Sequence, residues 1–298
     1  MSTPDPELRP PIGLVGPGRV GSVLTAALAA AGVPVAGWVG RDDPSPPGLD
    51  RIHTLLPHVP RRSQSELTQV AGTLLIAVPD AAVPVVADQI AGLAVAGTVV
   101  WHVSGRYGTG VLAPVSERAA VPLAIHPAMT FTGSPGDLDR LVGLRWGLTA
   151  GPDAEPFARA LVTVLGGIAV PIAEPDRVAY HAALSHASNF FALIEGQAAD
   201  VLRGIGVDDP AALIAPLAFA ALADALSGHP GFTGPVSRGD AETVSAHLAA
   251  LRATDPVIAV TYAAMTARSA QRAGTVGTID GHAVEALRWA VHESDESD

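Results

Sequence analysis

Residues 12–21 read Ile-Gly-Leu-Val-Gly-Pro-Gly-Arg-Val-Gly, and no other stretch narrows the possible folds as much. Gly16, Gly18 and Gly21 fit the pattern G-x-G-x-x-G. They stand between an apolar run ending at Val15 and a segment, Ser22 to Ala31, made almost wholly of Ala, Leu and Val. Strand, glycine turn and helix in that order are the context in which the pattern predicts a dinucleotide site. Gly16 makes the tight turn, Gly18 lets the backbone approach a pyrophosphate, and Gly21 lets the helix lie close on its strand. The pyrophosphate is expected over the helix N-terminus, against Pro17, Arg19 and Val20 as well as the glycines, where free N–H groups and the helix dipole favour negative charge.

The remaining order follows from that start. Val33 to Val39 reads as the second strand, and its end, Gly40-Arg41-Asp42-Asp43, falls where a Rossmann unit meets the adenosine ribose. Arg41 favours the 2′-phosphate of NADP; Asp42 and Asp43 keep NAD as the lesser alternative, and Arg61 and Arg62 can add phosphate contacts. Residues 44–60 carry five prolines and read as loop with a short helical turn. Thr73 to Val78 and Thr98 to Val103 are continuous apolar runs, as in buried parallel strands. Their ends bring Val78, Pro79, Asp80, His102, Ser104 and Gly105 to the ligand crevice. Further strands are expected at 123–125, 144–149 and 168–172. After Ile172 the pattern turns helical, with helices at 176–203, 211–226, 241–251, 256–272 and 281–291. The expectation is an α/β Rossmann domain with a mostly parallel sheet over 1–172, then an all-α domain over 173–298 for substrate and dimerisation.

Composition excludes several classes. With no cysteine among 298 residues, disulfides, thiolate metal sites and cysteine nucleophiles are out. The ten histidines show no H-x-x-x-H pair, so no metal is expected. A net charge of −11 argues against a nucleic-acid partner. No signal core or membrane span is read, and the expected location is the cytoplasm.

The long helix at 176–203 carries the candidate chemistry. His181, Ser185 and Asn189 recur at i, i+4 and i+8, and with Ser188 they share one arc. Because the helix is otherwise apolar it reads as central, and the stripe as the wall of a substrate cleft. His181 is the candidate acid, Asn189 and Ser185 orient a carbonyl or carboxylate, and Ser188 adds a contact. Arg238, among glycines before a helix, is a candidate clamp for a substrate carboxylate, the alternative being a structural salt bridge. Asp240 is its neighbouring N-cap. His126, beside Pro127 at a strand end, is a further cleft candidate.

Trp101-His102-Val103-Ser104-Gly105, His126-Pro127 with Phe131, Tyr180-His181-Ala182-Ala183 with Ser188-Asn189, and Gly234-Pro235-Val236-Ser237-Arg238-Gly239-Asp240, together with the glycine turn, carry a resemblance. The chain resembles a bacterial Rossmann-like oxidoreductase family with a C-terminal domain of unknown function. That family is similar to ketopantoate reductase, pyrroline-5-carboxylate reductase and the β-hydroxyacid dehydrogenases. The resemblance implies an NADP-dependent reductase of a small 2-keto acid, ketopantoate being the leading specific substrate, and a homodimer formed through the helical domain. Ketopantoate reductases carry a catalytic Lys followed by Asn at i+4 and i+8 on the corresponding helix, where this chain reads His181, Ser185 and Asn189. The Asn is matched by Asn189, and His181 stands at the Lys position. An imine reductase of the pyrroline-5-carboxylate type and a non-catalytic NADP-binding sensor are the alternatives.

Overall fold

The computed structural model describes residues 11–41, 45–93, 96–228 and 233–292. The chain divides into two compact units, residues 1–186 and 187–298. Asp42 and Asp43, Phe232, the N-terminal ten residues and the acidic C-terminal tail lie outside the described residues.

The first unit holds a seven-stranded sheet. Its strands are β1 (Ile12–Val15), β2 (Val35–Val39), β3 (Thr73–Ile76), β4 (Val99–His102), β5 (Val121–Pro127), β6 (Arg145–Ala150) and β7 (Ile168–Pro171), in the spatial order β2-β1-β3-β4-β5-β6-β7. The first five run parallel, β6 pairs antiparallel with β5, and β7 runs parallel to β6. Every residue of β1, β3 and β4 is buried, the signature of strands covered on both faces. Alternation divides them between two cores: Ile12, Leu14, Leu75, Val99 and Trp101 feed one, and Leu74, Ile76 and Val100 the other. The direction of winding changes between β1 and β3, and an open sheet binds ligands at the strand C-termini where that happens.

The crossovers are α1 (Arg19–Ala30), α2 (Pro46–Leu55), α3 (Gln64–Val70), α4 (Val83–Ala91), α5 (Ala113–Ser116) and α6 (Glu155–Val164). The helix α2 is longer than the sequence reading allows, which gives 44–60 as loop with one short helical turn. Proline breaks a helix from its third or fourth residue on, but the first turn has no N–H partner to lose. Pro46 and Pro47 sit there, after Ser45 at the N-cap position. In α3, Ser63 and Glu66 form a reciprocal capping box.

The helix α7 (Arg177–Gly204) begins in the first unit and ends in the second. In the second unit follow α8 (Pro210–Leu226), α9 (Ala241–Thr254), α10 (Pro256–Thr275) and α11 (Gly281–His292). A core of Val244, Leu248, Ala263, Ala270, Leu287, Ala290 and Val291 joins the last three. The expectation that α7 is central is corrected: its only buried residue is Arg177, and Phe190, Phe191 and Ile194 are exposed. Among the described residues no helix is long and apolar enough to cross a membrane.

Candidate functional site: a dinucleotide cleft and a histidine cluster at the strand ends

A cleft of about 640 Å³ opens at the C-terminal ends of β1, β2 and β3, within the usual size of a small-molecule or cofactor site. Gly16, Pro17, Gly18, Arg41, Val78 and Pro79 line it. Of the other residues expected to hold a cofactor, Arg19, Val20 and Gly21 open α1 beside it. Asp80 starts a 3-10 turn after β3, and Ser104 is buried beyond β4.

The glycines of the turn differ in what the chain itself demands. Gly16 has φ +92°, and a Cβ there would stand 2.7 Å from Ala77 O. At Gly21 a Cβ would press into Gly16 O and reach Leu14 Cδ1 at 2.8 Å. Both are fixed by turn and packing. Gly18 is not: its φ is −76°, and an added Cβ would meet only Ala77 O, at 3.9 Å. No side chain caps α1 and its first turn holds no acid. The bare backbone at Gly18 therefore fits a pyrophosphate placed over the helix N-terminus.

Cations gather at the same edge. Arg41 is exposed, and its carbonyl accepts from Arg61 Nη2 at 3.1 Å. The Arg61 guanidinium lies over the Trp38 ring at 5.6 Å. Arg62 is occupied inside the fold, donating to Ala36 O at 2.7 Å. The sequence reading misses Arg51, which lines the cleft from α2. The prolines that hide α2 also hide the face on which Arg51 stands.

The ends of β4 and β5 carry a second group of residues. His102 is fully buried. Its Nδ1 accepts from Ser104 N at 3.2 Å and its Nε2 bonds Gly108 O at 2.8 Å, which assigns the proton to Nε2. Burial pushes His102 down to about 4, so it is neutral and shapes the loop after β4. Ser104 Oγ accepts from Tyr107 N at 3.3 Å within that loop. Glu174 clamps the loop from outside, accepting from Thr109 N at 2.8 Å, Thr109 Oγ1 at 3.1 Å and Gly110 N at 3.0 Å. Burial alone would raise Glu174, but these donors outweigh it and hold the carboxyl below its ordinary value.

The first turn of α7 brings three side chains to this place. Arg177 is buried and ties β5 to β6, donating to Ala124 O, to Gly147 O at 3.2 Å and to Thr149 Oγ1 at 2.8 Å. Tyr180, three residues on, lies on Gly147, where a Cβ would come within 2.6 Å of Cζ and the phenol oxygen. That oxygen is 2.9 Å from His126 Nδ1. His181 meets His126 edge to face, with ring centroids 6.1 Å apart. Gly105 closes the group: a Cβ there would stand 2.6 Å from His181 Cδ2 and 3.1 Å from His126 Nε2. Burial first, then His181, Arg177 and His102, push His126 down to about 4. Thus the structure brings together His126 and His181, which the sequence reading names as separate candidates, and joins to them Tyr180, which that reading weights less because it lies off the His181–Asn189 arc.

Ser185 is half-buried, and Ser188 and Asn189 are exposed further along α7. The last two belong to the second unit. So does Arg238, exposed at the end of a 3-10 turn (Val236–Arg238). No ion pair to Arg238 is present among the described residues, although its charge contributes to holding the Asp240 carboxyl below its ordinary value. Asp240 caps α9, accepting from Thr243 N at 3.0 Å and Thr243 Oγ1 at 2.7 Å, its expected role.

Comparison with known proteins divides the chain earlier, between β5 and β6. A family model for a Rossmann-like domain matches residues 3–127, and one for a domain of unknown function, DUF2520, matches residues 144–269. No curated protein matches the sequence. Among solved structures, a Bacteroides fragilis protein provisionally assigned as an NADP oxidoreductase is similar at a TM-score of 0.73 and 18% identity, over 89% of this chain and 99% of that one. An imine reductase from Myxococcus stipitatus, solved with NADP+, is similar at 0.64 and 16%, over 93% and 99%. A pyrroline-5-carboxylate reductase from Coxiella burnetii is similar at 0.52 and 16%, over 96% and 97%. At these identities the likeness is one of fold.

Proposed function

We propose that this chain, which belongs to the family joining a Rossmann-like domain to DUF2520, is an NADP-dependent oxidoreductase that reduces a small 2-keto acid. The observation that carries the reading is Gly18, a glycine that the fold does not need and a pyrophosphate does. Arg41, just past the end of β2, and Arg51 line the cleft and are suited to the 2′-phosphate. The NADP complexes among proteins of the same fold support the same cofactor.

Bound NADPH supplies a hydride, which adds to the carbon of a C=O or C=N bond while the oxygen or nitrogen takes up a proton. The protein's own part is the rest. Gly16 to Gly21 and Arg41 hold the phosphates. The loop from Ser104 to Gly110, fixed by His102 and Glu174, shapes the wall beside the reacting bond. His181 gives the proton to the developing alkoxide. No residue of the structure singles out ketopantoate among 2-keto acids. Reduction of an imine is the second reading, favoured by the imine reductases of similar fold.

The test is a fluorescence titration with NADPH and NADH, followed by oxidation of NADPH in the presence of 2-keto acids or cyclic imines. We expect NADPH to bind more tightly than NADH, and Arg41→Ala to cut that preference about tenfold, or ~1.4 kcal/mol. Tighter binding of NADH removes the 2′-phosphate reading. Turnover of imines alone selects the second reading.

We also infer that two copies of the chain pair through α8. A helix apolar all round belongs in an interior. Yet α8 buries only Pro210, and Leu213, Leu217, Phe219, Leu222 and Leu226 stand exposed. A two-fold pair satisfies such a face with the same face of a second copy.

A further inference from the structure

The pair Tyr180–His126 has no part in the proton transfer assigned to His181, although its geometry is the more constrained. We propose that His126, held by Tyr180 in the form that carries its single proton on Nε2, donates a hydrogen bond to the oxygen of the carbonyl being reduced. This rests on the oxidoreductase reading above and names a residue and a substrate class within it.

Four observations lead there. First, the contact of 2.9 Å between Tyr180 Oη and His126 Nδ1 admits one proton. Among the described residues Tyr180 Oη has no other hydrogen-bond partner, so its one proton is paired when the O–H points at Nδ1. A ring that accepts at Nδ1 carries its proton on Nε2.

Second, Nε2 has no protein partner among the described residues and faces Gly105, where a Cβ would come within 3.1 Å. His181 crowds the Gly105 side, but His126 is only half-buried, so its ring keeps surface that a ligand can meet. Third, β4 and β5 are parallel neighbours of β3, so His126 stands on the edge of the sheet that carries the dinucleotide cleft.

Fourth, the ring is neutral. Its surroundings are His181, Arg177, His102 and the phenol of Tyr180, with no carboxylate in contact among the described residues, and every charge these neighbours can carry at neutral pH is positive. A proton on His181 makes a second proton on His126 still less favourable. The two histidines thereby divide the work: one gives a proton, the other gives a hydrogen bond and keeps its own. A neutral imidazole pre-set as a donor stabilises charge growing on an oxygen without reorganising.

The division bears on the substrate. A ketone oxygen has a lone pair for Nε2–H. A protonated imine has an N–H of its own and none, so the arrangement suits a carbonyl and disfavours an iminium.

The experiment reads the ring directly. Protein with ¹⁵N-labelled histidine is examined by long-range ¹⁵N–¹H NMR from pH 5.5 to 8, as wild type and as Tyr180→Phe. His126→Ala assigns the signal. The wild type is expected to show His126 protonated on Nε2 alone throughout the range. Tyr180→Phe is expected to move it to a mixture of both neutral forms. In turnover of a 2-keto acid, His126→Ala is expected to lose about a hundredfold in kcat with NADPH affinity unchanged, and Tyr180→Phe about tenfold. His126→Gln, a neutral donor, is expected to recover part of the loss. A wild-type ring protonated on Nδ1, or doubly protonated at pH 7, overturns the proposal whatever the enzyme reduces, as does full turnover by His126→Ala. A wild type that binds no NADPH overturns the oxidoreductase reading, and the tautomer result then stands by itself.

Discussion

Gly18 and Gly21 are chemically the same residue three positions apart, and the structure gives them opposite reasons. Gly21→Ala drives a methyl into Gly16 O and Leu14 and is expected to cost about 1–3 kcal/mol of stability, as overpacking does. Gly18→Ala meets nothing closer than 3.9 Å and is expected to leave stability within about 0.5 kcal/mol, yet to weaken NADPH at least tenfold. Denaturant melts and NADPH titrations of the two variants check both halves. A Gly18→Ala protein that binds NADPH as well as the wild type removes the pyrophosphate from this turn. The turn was legible in the sequence because each glycine marks a backbone need at a fixed spacing. The Tyr180–His126 contact was not, because it joins residues 54 apart in the chain. Only the order of the strands and the first turn of α7 bring them together. The cue available was composition: Tyr180 and His181 are adjacent on a turn whose Arg177 is three residues earlier, on the face that Tyr180 shares.

Among the elements, β4 and the loop after it depend on a histidine that is neutral only because it is buried. His102 has its folded value pushed to about 4 from 6.5, by burial above all. Below pH 6.5 the unfolded chain takes up a proton there that the folded chain refuses. The contribution is therefore complete above the unfolded value and is lost as pH falls toward 4, up to about 3 kcal/mol. Denaturant unfolding at pH 7.5 and at pH 4.5 should show a loss larger than that, because His126 is pushed down likewise, and a smaller one in His102→Asn, which has no imidazole to titrate there. Equal stability of the wild type at both values would contradict the buried neutral ring. Element types were largely readable, since apolar runs of four to six residues and long Ala-Leu stretches announce buried strands and helices. The exceptions have physical causes. Proline is a breaker within a helix and a starter at its first turn, so α2 looked like loop with one short helical turn. The run at 144–149 was seen as a strand, but apolar content has no direction, and its antiparallel pairing could not be read.

For the whole molecule the unresolved balance is apolar. The second unit covers a core among α9, α10 and α11 while leaving α8 bare, and a single charged residue, Asp224, lies within α8. Pairing of two copies makes stability depend on concentration. Sedimentation is expected to give a dimer, and the melting temperature is expected to rise with protein concentration. Leu217→Glu with Phe219→Glu should give a monomer whose melting temperature no longer depends on concentration. A wild type that sediments as a monomer at micromolar concentration would contradict the pairing. The sequence reading named the helix at 211–226 without noting how apolar it is, and expected the pairing only through the resemblance.

One turn of topology has a consequence for how the crevice is walled. In a parallel sheet, each strand that reaches the crevice is followed by a helix that carries the chain back to the opposite edge, so the crevice receives only the short link between them. Because β6 runs antiparallel to β5, the chain re-enters the sheet from the crevice edge, and the whole connection of residues 128–144 belongs to that edge. It already reaches across it: a Cβ at Gly133 would stand 2.5 Å from Arg51 Nε and 3.0 Å from Arg19 Cγ. The reversal thus gives the crevice its longest wall from a single connection, anchored to the main core by Phe131 and Leu141 and braced by the buried Asp137 carboxylate, which accepts from Thr132 N and Gly133 N.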